Sequence, residues 1–257
     1  MRASINTARD AILRRFNKPL WFLVYRLTGR RMAVDVAMGD VGQIIAGFDV
    51  PSAAVRPWLP SPRLVLAEHA PGLARIIIQG NEFREVALAR RPYAEVALSV
   101  PVGFHPPDGR PPVSGSFYLY LLSTAHEAVW SAVEIYGYPK EGGVVSFAAE
   151  AGWRSCRAAS NGCHLLELAV NLPPVSHQTA AVEAFTVLDG CLRRVPWSAA
   201  GQMGTVEEPG GAHCTLGDHP WAVRLREAGM STTSRWHTYV ARQRGTLFKP
   251  AERWELS

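Results

Sequence analysis

Three lysines stand among 24 arginines in this chain: Lys18, Lys140 and Lys249. Arginine fills most surface roles of a cation, but only lysine can lose its proton near neutrality and attack a carbonyl carbon. Lys140 ends the run Glu134-Ile135-Tyr136-Gly137-Tyr138-Pro139-Lys140. A lysine behind a Gly-aromatic-Pro turn is a candidate Schiff-base nucleophile, although composition alone favours an ordinary surface lysine. An unburied lysine, with a pKa of about 10.4, is almost wholly charged at neutral pH. Burial against apolar and aromatic walls favours the neutral amine. Tyr136, Tyr138 and Pro139 would supply such walls, and residues 117–121 more. Imine chemistry also needs a carboxylate to move protons. Glu95 and Glu134 are candidates, since each lies in an otherwise apolar stretch.

Other elements must position these groups. Runs rich in Val, Ile and Leu at 33–37, 43–48, 63–67, 74–79, 94–102 and 116–122 predict strands. Residues 144–149, 153–158 and 164–170 predict three more, with Gly and Asn at the turns. Pro101 suggests a strand end or edge. A helical turn is expected at 51–55 and a rigid loop at 105–112. A helix is expected at 125–136, with Ala128, Val129, Ala132 and Val133 on one face and Gly137 and Pro139 as stops. A second is expected at 218–230, capped by Asp218 and ended by Gly229. No repeat or composition shift marks a boundary. The expectation is one mainly β domain over 32–257, an antiparallel closed barrel or cone with a few peripheral helices.

With the order of these motifs in view, the chain resembles the acetoacetate decarboxylase superfamily. Glu134 to Lys140 is similar to that family's Glu-x-x-x-Tyr-Pro-Lys signature. Tyr93-Ala94-Glu95, followed by Val100-Pro101-Val102, resembles its Tyr-x-Glu strand. Gly115 to Tyr120 resembles the strand leading toward the lysine, and residues 53–62 the segment ending in Pro-x-Pro. The likeness spans roughly residues 40–150 and fades after about residue 170. It implies that Lys140 forms the imine and that Glu95 is the catalytic carboxylate. Glu134, Tyr138, Tyr120 and Tyr93 would line the substrate pocket. It also implies a homo-oligomer without metal or organic cofactor. Two positions depart from the pattern. Glu141 stands where the decarboxylase has a second lysine, and Val41, beside Asp40, stands where it has a substrate-binding arginine unless Arg30 or Arg31 is recruited. Acetoacetate is therefore not the expected substrate. The expected function is a cofactor-independent Schiff-base lyase acting on a keto acid, by decarboxylation or by aldol-type condensation. The expected partner is a small-molecule keto acid or apolar carbonyl compound; the alternative function is a noncatalytic or repurposed barrel that binds an apolar small molecule.

Charge narrows the partners. The formal charge of +5 gathers in residues 1–31, which hold eight basic residues and one acid, Asp10. The near-neutral remainder argues against nucleic acid. Residues 1–31 also carry Ile5, Ala8, Ile12, Leu13 and Phe16 at helical spacing. The reading is an amphipathic helix that packs on protein, in preference to one lying on an anionic membrane. Its apolar run 20–25 is too short to span a bilayer. Four cysteines without a Cys-x-x-Cys pair suggest reduced thiols in a cytoplasmic protein, with no metal site. No Gly-x-Ser-x-Gly turn supports a hydrolase.

Overall fold

The computed structural model describes residues 35–87, 89 and 91–256. The basic segment 1–31, with Arg30 and Arg31, lies outside the described residues. The described residues form fourteen strands: β1 (Val36–Pro51), β2 (Leu64–Leu66), β3 (Leu73–Val86), β4 (Tyr93–Phe104), β5 (Val113–Ser123), β6 (Lys140–Gly142), β7 (Val144–Glu150), β8 (Trp153–Ser160), β9 (Cys163–Asn171), β10 (Ser176–Leu188), β11 (Cys191–Val206), β12 (Ala212–Leu216), β13 (Ser234–Leu247) and β14 (Glu252–Glu255). Seven of them close into a barrel in the order β1-β3-β4-β5-β10-β11-β13 and back to β1. Six seams are antiparallel. The seventh, β5 to β10, is parallel. A second antiparallel sheet, β12-β9-β8-β7, covers part of the outer wall.

Strand alternation divides the barrel residues between two environments. On β1, Ile44, Ala46 and Phe48 are 0% exposed and join the layer under the second sheet. Their neighbours Gln43 and Ile45 face the barrel interior. Ile76 and Ile78 of β3, and Val96, Leu98 and Val100 of β4, continue the outer layer. Cys156, Ala158, Leu166, Leu168 and Cys214 meet them from the second sheet. Burial raises the Cys156 thiol to about 12, so it stays a neutral packing group. All four cysteines are free.

Three features differ from the pattern read along the sequence. Residues 36–37 of the run 33–37 and the run 43–48 belong to one strand, because Gly39 and Gly42 mark bulges and not turns; the register shifts between Met38 and Val41 and again before Gln43. Pro101 lies inside β4, beyond Ser99, the last residue paired with β3. The later helix is shorter, Pro220–Glu227, and its cap is His219, whose Nδ1 accepts from the Trp221 N–H. Asp218 instead accepts from the His164 N–H at 2.7 Å. The earlier helix, His126–Ser131, continues into one π-helical turn, Ala132–Tyr136. Among the described residues no helix is long and apolar enough to cross a membrane.

Candidate active site

The π turn delivers the lysine. It ends on Gly137 at φ 74°, a left-handed conformation that glycine adopts without strain. A side chain at that position would also meet the Val187 carbonyl oxygen at 2.5 Å. Thr186 Oγ1 donates to the Tyr136 carbonyl at 2.5 Å, and Arg193 donates to the Ile135 carbonyl at 3.2 Å. β10 and β11 thus pin the turn. The chain then runs through Pro139 into β6, which pairs in parallel with β5, Lys140 opposite Leu121.

This register points Lys140 into the barrel. Its Nζ lies 2.5 Å from Glu95 Oε2 on β4, with the two side chains only 8% and 6% exposed. The pair sits in the wall of a cavity of about 370 Å³, within the usual size of small-ligand pockets. Among the described lining residues, Lys140 is the one cation and Glu95 the one anion. The rest is mostly apolar, from Ile45 and Phe83 to Val182, Trp197, Met203 and Trp236. A buried ion pair in such a wall has little water to compete with it, so a proton can pass between partners without bulk solvent.

Tyrosines surround the pair. Tyr118 and Tyr138 meet edge to face at 5.1 Å, and Tyr93 stacks on Phe83 at 4.5 Å. Burial first, and then the charge of Glu95, raises Tyr118 to about 12. Burial likewise lifts Tyr138 and Tyr93 well above the ordinary phenol value, with Glu95 adding to both. All three remain neutral at physiological pH, able to donate to an oxygen in the cavity.

The next residue faces the other way. Glu141 Oε1 accepts from Tyr120 at 2.5 Å and from Ser160 at 2.7 Å, and lies 3.6 Å from His219 Nε2. Burial pushes the Glu141 carboxyl up, but the bonds from Tyr120 and Ser160, with nearby His219, hold it below its usual range. Successive side chains on a strand point to opposite faces, so this carboxylate is kept off Lys140.

Of the residues singled out from sequence, Lys140, Glu95, Tyr138 and Tyr93 come together around the cavity. Glu134 and Tyr120 are not on its wall. Ala128, Ser131 and Ala132 form the helix face toward the cavity, and Glu134 falls outside that face. Tyr120 is turned outward by a bulge. Leu98 pairs with Tyr120 and Ser99 with Tyr118, leaving Leu119 as an extra residue. Tyr118 and Leu121 therefore face inward, while Leu119 and Tyr120 pack in the outer layer. Val41 is 1% exposed on β1, and its partner across the seam is Gln243.

Sequence reading missed the polar groups Gln43, Gln79, Asn81 and Gln243, and the walls from β11 and β13. A signal existed for β3, where Gln79 and Asn81 stand two apart in an apolar strand and so share one face. Nothing local marked Gln243, whose place in the site depends on barrel closure.

A model of the acetoacetate decarboxylase family (ADC) matches residues 25–206. No curated protein matches the sequence. Solved structures share the fold. An acetoacetate decarboxylase from Legionella pneumophila subsp. pneumophila str. Philadelphia 1 superposes with a TM-score of 0.59 at 13% identity, covering 86% of this chain and 89% of that one. The enduracididine biosynthesis enzyme MppR complexed with pyruvate gives 0.59 at 15% identity, covering 88% and 91%. An acetoacetate decarboxylase-like enzyme from Sphingomonas wittichii RW1 gives 0.55 at 15% identity, covering 87% and 93%. At such identities the likeness is one of fold.

Proposed function

The chain belongs to the acetoacetate decarboxylase family, and from that premise we propose that it is a Schiff-base lyase acting on a keto acid through Lys140. The observation that carries the reading is the buried contact of Lys140 Nζ with Glu95 Oε2 at 2.5 Å. Nζ must give up a proton before it can attack, and Glu95 is placed to take it. The neutral amine adds to the substrate carbonyl carbon. The carbonyl oxygen takes one proton from the attached nitrogen and one back from Glu95 and leaves as water, so that a C=N⁺ bond to Nζ and an ionised Glu95 remain. That iminium accepts the electron pair of an adjacent bond. If a C–COO⁻ bond breaks, carbon dioxide leaves and an enamine forms, which is protonated on carbon by Glu95 after Glu95 has taken up a proton from solvent water. If a C–H bond breaks, Glu95 takes the proton and the enamine carbon attacks an aldehyde. Water then releases the product from Nζ. Tyr118 and Tyr138, neutral phenols, donate to the departing oxygen.

The substrate class follows from the family and from a fold relative, MppR, whose structure holds pyruvate. The apolar cavity of about 370 Å³ is more than acetoacetate requires, so the carbonyl compound carries a further apolar substituent. In this reading the protein works without metal or organic cofactor, as a homo-oligomer in the cytoplasm. The test is borohydride reduction in the presence of pyruvate or acetoacetate, followed by peptide mass analysis. The expected result is the reduced keto acid's mass on Lys140. No adduct with any keto acid would favour a second reading, a noncatalytic barrel for an apolar small molecule, which the mostly apolar lining suits.

A further inference from the structure

The barrel interior holds a polar donor that the Lys140–Glu95 pair does not use. Gln43, Asn81 and Gln243 are 9%, 3% and 2% exposed, and all three line the cavity. They lie on consecutive strands leading away from Glu95. Asn81 is the cross-strand partner of Glu95 on one side and of Gln43 on the other. β1 then pairs with β13, which carries Gln243. Gln43 Nε2 donates to Asn81 Oδ1 at 2.9 Å, so these two amides orient each other. Gln243 Nε2 is buried without a hydrogen-bond partner among the described residues. Of the side-chain atoms in that condition, it alone belongs to the cavity wall.

A buried donor left unsatisfied is costly, and native proteins retain few. Gln243 lines a ligand-sized cavity, and a turn of its amide toward that space lets a ligand acceptor complete the donor. The only cation on that wall among the described residues is already paired with Glu95. We propose that Gln243 Nε2 donates to the carboxylate of the keto acid whose carbonyl reaches Lys140, with the Gln43–Asn81 pair as its polar neighbour. A carboxylate only accepts and an amide NH₂ only donates, so the match is a chemical one, on the wall that Lys140 shares. This assignment rests on Lys140 forming an imine.

The test uses a keto acid and a ketone of matched length, levulinate and methyl propyl ketone, in borohydride trapping at Lys140. For each, the half-saturating concentration is measured with wild type, Gln243→Leu and Gln243→Glu. Loss of a hydrogen bond to a charged group is expected to raise the levulinate-to-ketone ratio roughly tenfold or more in Gln243→Leu. Gln243→Glu, which adds repulsion, is expected to raise it further. Should Gln243→Leu fail to fold, Gln243→Asn retracts the same amide by one methylene and should move the ratio in the same direction. Adducts that form with an unchanged ratio in every variant would sink the Gln243 assignment alone. Absence of adducts from wild type with both compounds would remove the imine reading, and this one with it.

Discussion

Glu95, which meets Lys140 of β6, and Glu141, the next residue of that strand, have surroundings that differ in kind. Glu95 is 6% exposed and contacts Lys140, the single cation among the described residues of a largely apolar cavity wall. Glu141 is 42% exposed, and its Oε1 accepts from Tyr120 and Ser160 near His219. A carboxylate that accepts from two hydroxyls is held in place and held ionised. One in contact with an amine on the wall of a cavity has a proton to exchange and room for a third party. The contrast separates a group arranged to react from one arranged to fix a strand, and it can be tested from both sides.

The largest effect is expected at Lys140. Lys140→Met should abolish borohydride adducts and also leave Glu95 buried without its cation, a loss of about 3–5 kcal/mol for a broken buried pair. Adding Glu95→Gln to it should restore much of the urea midpoint without restoring adducts. A double variant as unstable as Lys140→Met would mean that the pair is not coupled. Glu95→Gln alone should slow adduct formation roughly 10²- to 10⁴-fold, as loss of a general base does. An unchanged rate would remove Glu95 from the chemistry.

Gly137→Ala should act on both sides of the strand. It forces a side chain into a left-handed turn against the Val187 carbonyl. The cost in unfolding experiments should be roughly 1–3 kcal/mol, with slower trapping because the turn sets the Lys140 register. Glu141→Gln should have the smallest effect, with trapping rates close to wild type. Its signature is in the pH dependence of stability. A carboxyl held below its unfolded value of 4.5 contributes stability that is present above that value and lost as the solution is acidified through the folded one. Glu141→Gln should therefore flatten the acid side of a melting-temperature profile below about pH 4.5. A trapping defect as large as that of Glu95→Gln would erase the distinction between the two acids.

Legibility from sequence followed the range of the forces involved. The strands through residue 170 were readable because Val, Ile and Leu clusters report a local preference for extended backbone. So was the turn behind Lys140, since glycine and proline act on their own dihedrals. The long strands β10, β11 and β13 were not, because Ala180, Ala184, Thr205, Thr238 and Gln243 interrupt the larger apolar residues on the faces that border the cavity.

By itself, then, the sequence determined a lysine after a glycine-broken turn, a carboxylate on an earlier strand, and the alternation that sets Glu141 apart from Lys140. These follow from chemistry within a few bonds or from the two-residue period of a strand. Only the tertiary structure decided that β4 and β6 bring Nζ and Oε2 to 2.5 Å, that the bulge at Leu119 turns Tyr120 out and Leu121 in, and that Gln243 reaches the same cavity. Each of those outcomes depends on which strands become neighbours when the barrel closes, and that pairing is settled by burial summed over the whole chain.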